Sequence, residues 1–271
     1  MRTFKTLKLH ASRKLLSALL AVLLAAGSAV PVFAITPEEA LEATFAHIAG
    51  RPDLPAYVPP EAVPGYTDET VIQYFVEVAM YAEYEGYRGY LMRYESPIQY
   101  CFLGHPDEDD KAQVRALAAA LNEVPGFPGI SEAENDWDAN VKIMFSSQAD
   151  YEAQFNLHVP GYSWGYSSVW FYTTGAEKGQ MSATYVWISD DAWPRLDRNS
   201  IICEELVQGL GLLNDPEYGY YSIFDQNRND CDWPSDLDWA VVYLLYDPRM
   251  DRFATEAEAR EIAQGILDSW K

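Results

Sequence analysis

Histidine is nearly missing from this chain: four occur in 271 residues. His10 lies in the first 34 residues, and His47, His105 and His158 stand far apart, with no metal-ligand spacing between any two. That pattern argues against a zinc centre built on imidazole pairs. Basic side chains are also few, 19 Lys and Arg against 41 Asp and Glu, a net charge of −22. So acidic a surface repels nucleic acid and anionic lipid, and neither is expected as a partner. Cysteine is scarce as well. Cys101, Cys203 and Cys231 are too few for a disulfide-stapled fold. Outside the cytoplasm three thiols give one bridge and one leftover, and Cys203 with Cys231 is the preferred pair, tying a helix to the loop after it. Beyond residue 34 no apolar run is long enough to span a bilayer, and no repeat or low-complexity tract interrupts the chain.

What is present begins with a leader. Arg2, Lys5, Lys8, Arg13 and Lys14 precede the apolar run "LLSALLAVLLAAGSAV", and "PVFA" places small residues at Val32 and Ala34. Residues 1–34 read as a signal segment cut before Ile35, although an uncut run of this length would serve as an anchor. Cleavage removes five basic residues, leaving 14 against 41 acids, a net charge of −27 on a soluble, extracytoplasmic chain. Residues 35–66 hold a helix capped at Thr36 and a Pro-rich linker. Residues 67–271 are long enough for one domain.

Within that domain "TDETVIQYFVEVAMYAEYE" and "EDDKAQVRALAAALNEV" carry apolar residues at helical intervals. "GYLMRYESPIQYCFLG" has the β-branched and Tyr content of a strand pair or one long bent strand, and "ANVKIMFSS" alternates as a strand. "SSVWFYTT" and "SATYVWIS" read as a hairpin joined by "GAEKGQM". A further helix begins near Asn199 or Ser200, and two more close the chain. Helices and strands in this order predict an α+β fold with a mixed sheet.

The helix near residue 200 carries "CEELVQGLGLLND", Cys203 to Asp215. Glu204 and Gln208 lie four apart, hence on one face; Glu205 is one step round, and Gly211 permits a turn that returns Asn214 toward that face. This is the layout of the metzincin signature H-E-x-x-H-x-x-G-x-x-H, with Glu204, Gln208 and Asn214 at the ligand positions and the general-base Glu205 and Gly211 retained. Ser222–Phe224 stand where such proteins carry a Met-turn. "NSIICEELVQGLGLLND", "YYSIFDQN" and "LLYDPRM", with "SPIQYCFLG" and "ANVKIMF" upstream, resemble the bacterial family catalogued as domain of unknown function 2927. The resemblance spans roughly Asp68 to Met250. It implies a metzincin-like fold, with the motif helix followed by C-terminal helices, and brings no established activity.

One carboxylate and two amides make a poor grip on zinc, which favours imidazole and thiolate. No cofactor is expected, and a weakly held divalent cation is the alternative, since oxygen donors suit calcium or magnesium. "DQNRNDCDWPSD" mimics a calcium loop but has Asp230 where that loop needs Gly. The motif then reads as a polar clamp in place of a metal site. Glu205 has no task in such a clamp. Either Arg195, Arg198 or Arg249 pairs with it, or it faces a cleft as a candidate general base. Tyr162, Trp164, Tyr166 and Trp170 are candidate walls of that cleft, or core. Three expectations follow: a noncatalytic secreted protein binding a peptide or cell-envelope component, a hydrolase using Glu205 with an atypical metal or none, or a structural part of an envelope assembly.

Overall fold

The structure is a computed structural model that describes residues 65–161, 163–192, 195–216, 221–226 and 231–271. The leader, the first helix and nearly all of the Pro-rich segment expected from the sequence lie outside them. Among the described residues the fold is α+β, with six helices and a mixed five-stranded sheet. In chain order the elements are α1 (Asp68–Met80), β1 (Tyr81–Ala82), β2 (Gly86–Tyr87), β3 (Ile98–Gly104), α2 (Glu108–Asn122), β4 (Ile130–Glu132) and β5 (Val141–Ser146). Then come α3 (Gln148–Phe155), β6 (Gly165–Phe171), β7 (Met181–Ser189), α4 (Arg195–Gln208), α5 (Asp236–Tyr246) and α6 (Glu256–Ser269).

Caps set the helix starts. Thr67 accepts from the Thr70 amide at the head of α1, and Asp107, Ser235 and Thr255 form capping boxes at α2, α5 and α6. The first helix stops at Met80, earlier than its periodicity predicts, because "YAEYEGY" turns back as the hairpin β1–β2. Of "GYLMRYESPIQYCFLG", the last seven residues alone form a strand. The motif helix starts at Arg195, four residues before Asn199.

The large sheet runs β4-β3-β5-β7-β6. Its first four strands are mutually parallel, and β6 returns antiparallel to β7 as the edge. Side chains alternate between the two faces. Val141, Ile143 and Phe145 of β5, with Val186 and Ile188 of β7, join the main core with α1, α2, α4, α5 and α6. Met144 and Trp187 point the other way, into a small cluster with Tyr151 of α3. The motif helix packs against β6 and β7, which places its polar face beside the open edge of the sheet. Among the described residues no helix is long and apolar enough to cross a membrane.

Candidate functional site

Both ends of the motif helix are anchored by buried polar contacts. Near its start, the Arg198 guanidinium grips Asp110 of α2 through two bonds of 2.7 and 2.8 Å and donates to the Ser189 carbonyl at 2.7 Å. At its end, Thr184 Oγ1 donates to the Gly209 carbonyl at 2.8 Å, and the Tyr246 hydroxyl donates to that of Leu210 at 2.9 Å. Gly211 has φ +120°, and a Cβ there would lie 2.1 Å from the Met92 carbonyl oxygen. Only glycine fits this turn. Ser222–Phe224 is held by buried Asp238 of α5. That carboxylate accepts from Ser222 Oγ at 2.5 Å and the Ile223 amide at 3.1 Å, and Tyr74 lies 2.5 Å from the same hydroxyl.

These anchors bring Glu204, Glu205 and Gln208 together with one residue that the metzincin spacing does not select. It is Asp215, the neighbour of Asn214, that closes on the pair. Gln208 Nε2 donates to Asp215 Oδ1, and Glu204 shares a proton with the same carboxyl. The residues Glu204 and Asp215 are half-buried, yet their carboxyl groups are turned away from water. Burial first, then the charges of Asp215 and Glu205, pushes the Glu204 carboxyl well above the usual range. Asp215 is raised to about 7 by burial and by the charge of Glu83, against the hydrogen bonds from Glu204 and Gln208. Both carboxyls are pushed up, and the pair holds a shared proton. A proton and an amide N–H hold the motif face shut.

Glu205 stands outside this clamp. It is 6% exposed, and its Oε2 has no hydrogen-bond partner among the described residues, a condition that costs about 1–3 kcal/mol for a buried acceptor. No arginine neutralises it among the described side chains: Arg198 is committed to Asp110 and Arg249 to Asp247. The side chain of Arg195 lies outside the described residues. Burial and the charge of Asp215 raise the Glu205 carboxyl well above its ordinary value, with the Ser167 hydroxyl opposing. Gly165 makes room for it, since a Cβ there would meet Glu205 Oε1 at 2.5 Å and Ile201 at 2.6 Å.

Two cavities meet at Glu205. The larger, about 330 Å3, is lined along β6 by Ser167 to Phe171 and across from it by Glu83, Tyr84 and Arg88, with Gln208 at its floor. The smaller, about 220 Å3, is lined by Glu83, Tyr84, Trp164, Glu204, Glu205 and Asp215, among others. Tyr84, 47% exposed, borders both and meets Tyr166 edge-on at 5.9 Å. Of the aromatics singled out in the sequence, Trp164 lines the smaller cavity, and Tyr166 and Trp170 line the larger. Trp170 is 38% exposed and leans on Tyr185 at 4.5 Å. Tyr162 lies outside the described residues. Asn214 lines neither cavity.

The family model of DUF2927, described as a protein of unknown function, matches residues 68–265. The chain belongs to the DUF2927 family. Among curated proteins none matches it.

The donor set of this DUF2927 domain does not fit zinc. Gln208 turns its nitrogen, not its oxygen, toward the site, and the raised Glu204–Asp215 pair holds a proton that ligands would have to lose. No three His, Cys, Asp or Glu side chains come together as metal ligands among the described residues. The calcium-like stretch lies partly outside those residues; its first member, Asp225, is buried. The cysteines differ from expectation. Cys101, Cys203 and Cys231 are all unbridged and buried. Each of the preferred pair commits its thiol to a separate carbonyl, Cys203 to Asp232 at 3.4 Å and Cys231 to Trp233 at 3.2 Å. Burial raises both thiols, Cys231 to about 12, so neither is a ready nucleophile. Glu83 and Tyr84 escaped the sequence reading of this DUF2927 domain because nothing in "YAEYE" distinguishes them from an exposed helix end. The hairpin folds them over the motif helix, and there Tyr84 and Gln226 both donate to the Glu83 carboxylate.

Proposed function

We propose that the mature chain is a secreted, noncatalytic protein on a metzincin-like scaffold that binds a peptide or another cell-envelope component in the cleft beside α4. One observation carries the noncatalytic half: the Glu204–Asp215–Gln208 clamp fills with a proton and an amide N–H the place where metal ligands would converge. Zinc would have to expel that proton and rotate the amide to gain a weak oxygen donor. The glycine turn at Gly211 and the motif helix packed beside an antiparallel edge strand support the scaffold. The binding half draws on β6, which pairs on one side with β7 and lines the larger cavity along its length. An edge strand of this kind offers main-chain groups to an extended peptide, and Tyr84, Tyr166 and Trp170 offer walls to its side chains.

A second reading has one feature in its favour. Glu205, buried, raised and with one carboxyl oxygen unpartnered among the described residues, has the attributes of a general base for a hydrolase. Elemental analysis of the purified mature protein, run with a casein and peptide cleavage screen, separates the two. Substoichiometric metal and no cleavage are expected. Stoichiometric zinc with cleavage that disappears in Glu205→Ala would replace the first reading by the second.

A further inference from the structure

Four carboxyl side chains from three stretches of chain, Glu83, Glu204, Glu205 and Asp215, line the smaller cavity, and none of the described residues lining it is Lys, Arg or His. Acids alone do not make a site, because buried carboxyls can hold one another through shared protons, as Glu204 and Asp215 do. Glu205 is different. Among the described residues its buried Oε2 has no partner, it borders the cavity, and Gly165 leaves it the space that it fills. A buried acceptor so placed is completed by a donor from outside. We propose that this cavity takes a primary ammonium group, supplied by the amino terminus or a lysine-type side chain of a peptide lying in the adjoining cleft. The inference rests on the peptide-binding reading above and names the chemistry that the cleft selects.

Sign, geometry and walls favour an ammonium. An anion would meet four carboxyl groups. A divalent ion needs ligands converging on one point, and no three side chains do so here among the described residues. An ammonium instead carries three donors that diverge, and it suits acceptors spread around a wall. Trp164 and Tyr84 are among the lining residues, and aromatic rings attract cations. At about 220 Å3 the cavity has the room of about seven liquid waters, enough for an aminoalkyl group. Glu83, Tyr84 and Glu205 line both cavities, so the smaller adjoins the cleft. The one cation lining the larger cavity among the described residues, Arg88, is already paired with Glu85 at 2.9 Å.

Arrays of random heptapeptides, made both end-capped and with free amino termini, test this against the mature protein. Binders are expected to be enriched in lysine or in free termini, whichever source supplies the ammonium. Replacing that group by norleucine or an acetyl cap should weaken binding about ten-fold or more. Glu205→Gln should erase that preference. Glu83→Gln, on a different element, should reduce it, and stands in should the first variant fail to fold. Binders without any preference for an ammonium would overturn the inference and leave the peptide-binding reading intact. An absence of binders would overturn both. One-to-one binding of zinc or calcium, lost in Glu205→Gln, would replace the ammonium by a metal ion.

Discussion

At the scale of a single residue, Glu205 sets stability against use. Its carboxyl is buried, unpartnered on one oxygen among the described residues, and raised well above the ordinary glutamate value by burial and the charge of Asp215. A raised pKa means that the folded chain holds this proton more tightly than the unfolded chain. The associated stability is complete below the unfolded value and drains away as pH climbs through the folded one. Glu205→Gln keeps the shape and removes the charge. It should therefore melt at least about 3 °C above the parent at about pH 8, and level with it at about pH 4. Differential scanning calorimetry at the two pH values decides this. A variant that melts lower at both would mean that Glu205 supports the fold, and the functional readings of it would fall. Natural proteins keep a destabilising buried acid where something other than folding requires it.

At the scale of elements, the Asp110–Arg198 pair fastens α2 to the motif helix and, through Ser189, to β7. Both partners are buried, so removing one strands the other. Asp110→Ala should cost about 3–5 kcal/mol, read as a lower urea midpoint with an unchanged slope. A loss below about 1 kcal/mol would show that water takes the place of the carboxylate. Long, periodic elements of this kind were legible in the sequence. The helices α1, α2, α5 and α6 and the strands β5 to β7 follow from apolar spacing and caps, because each is decided within its own residues. The hairpin β1–β2, the three-residue β4 and the eight-residue α3 were not legible, since they are too short to show a period and exist through their neighbours. The site divides the same way. Glu204, Glu205 and Gln208 share a helix face, and spacing places them together. Asp215 replaces Asn214 as the closing residue because the path beyond Gly211 depends on its close approach to the Met92 carbonyl, a contact made across 119 positions of chain. Glu83 and Tyr84 reach the site by a fold-back that no local pattern announces.

At the scale of the whole molecule, two effects point the same way and need separating. A chain with a net charge of −22 at pH 7 repels itself more as pH rises through the carboxylate range. The buried acids act in the same direction: Asp215 is raised to about 7 and Asp238 to about 6, both chiefly by burial, and Glu204 and Glu205 also move up. Between about pH 4 and pH 7 the folded chain thus binds more protons than the unfolded chain, and stability falls as pH rises. Below that range the sign reverses at the surface. Asp68, held down by hydrogen bonds from Lys271 and Gln264, loses its contribution once protonated. A maximum near about pH 5 follows from the two slopes. Salt discriminates between their sources, because it screens exposed charges and hardly touches buried ones. In about 0.5 M NaCl the melting temperature should still fall between about pH 5 and pH 8, and Asp215→Asn should flatten that fall. If salt alone abolishes the slope, surface repulsion accounts for it, and the clamp of Glu204, Asp215 and Gln208 does not hold a proton in the folded protein.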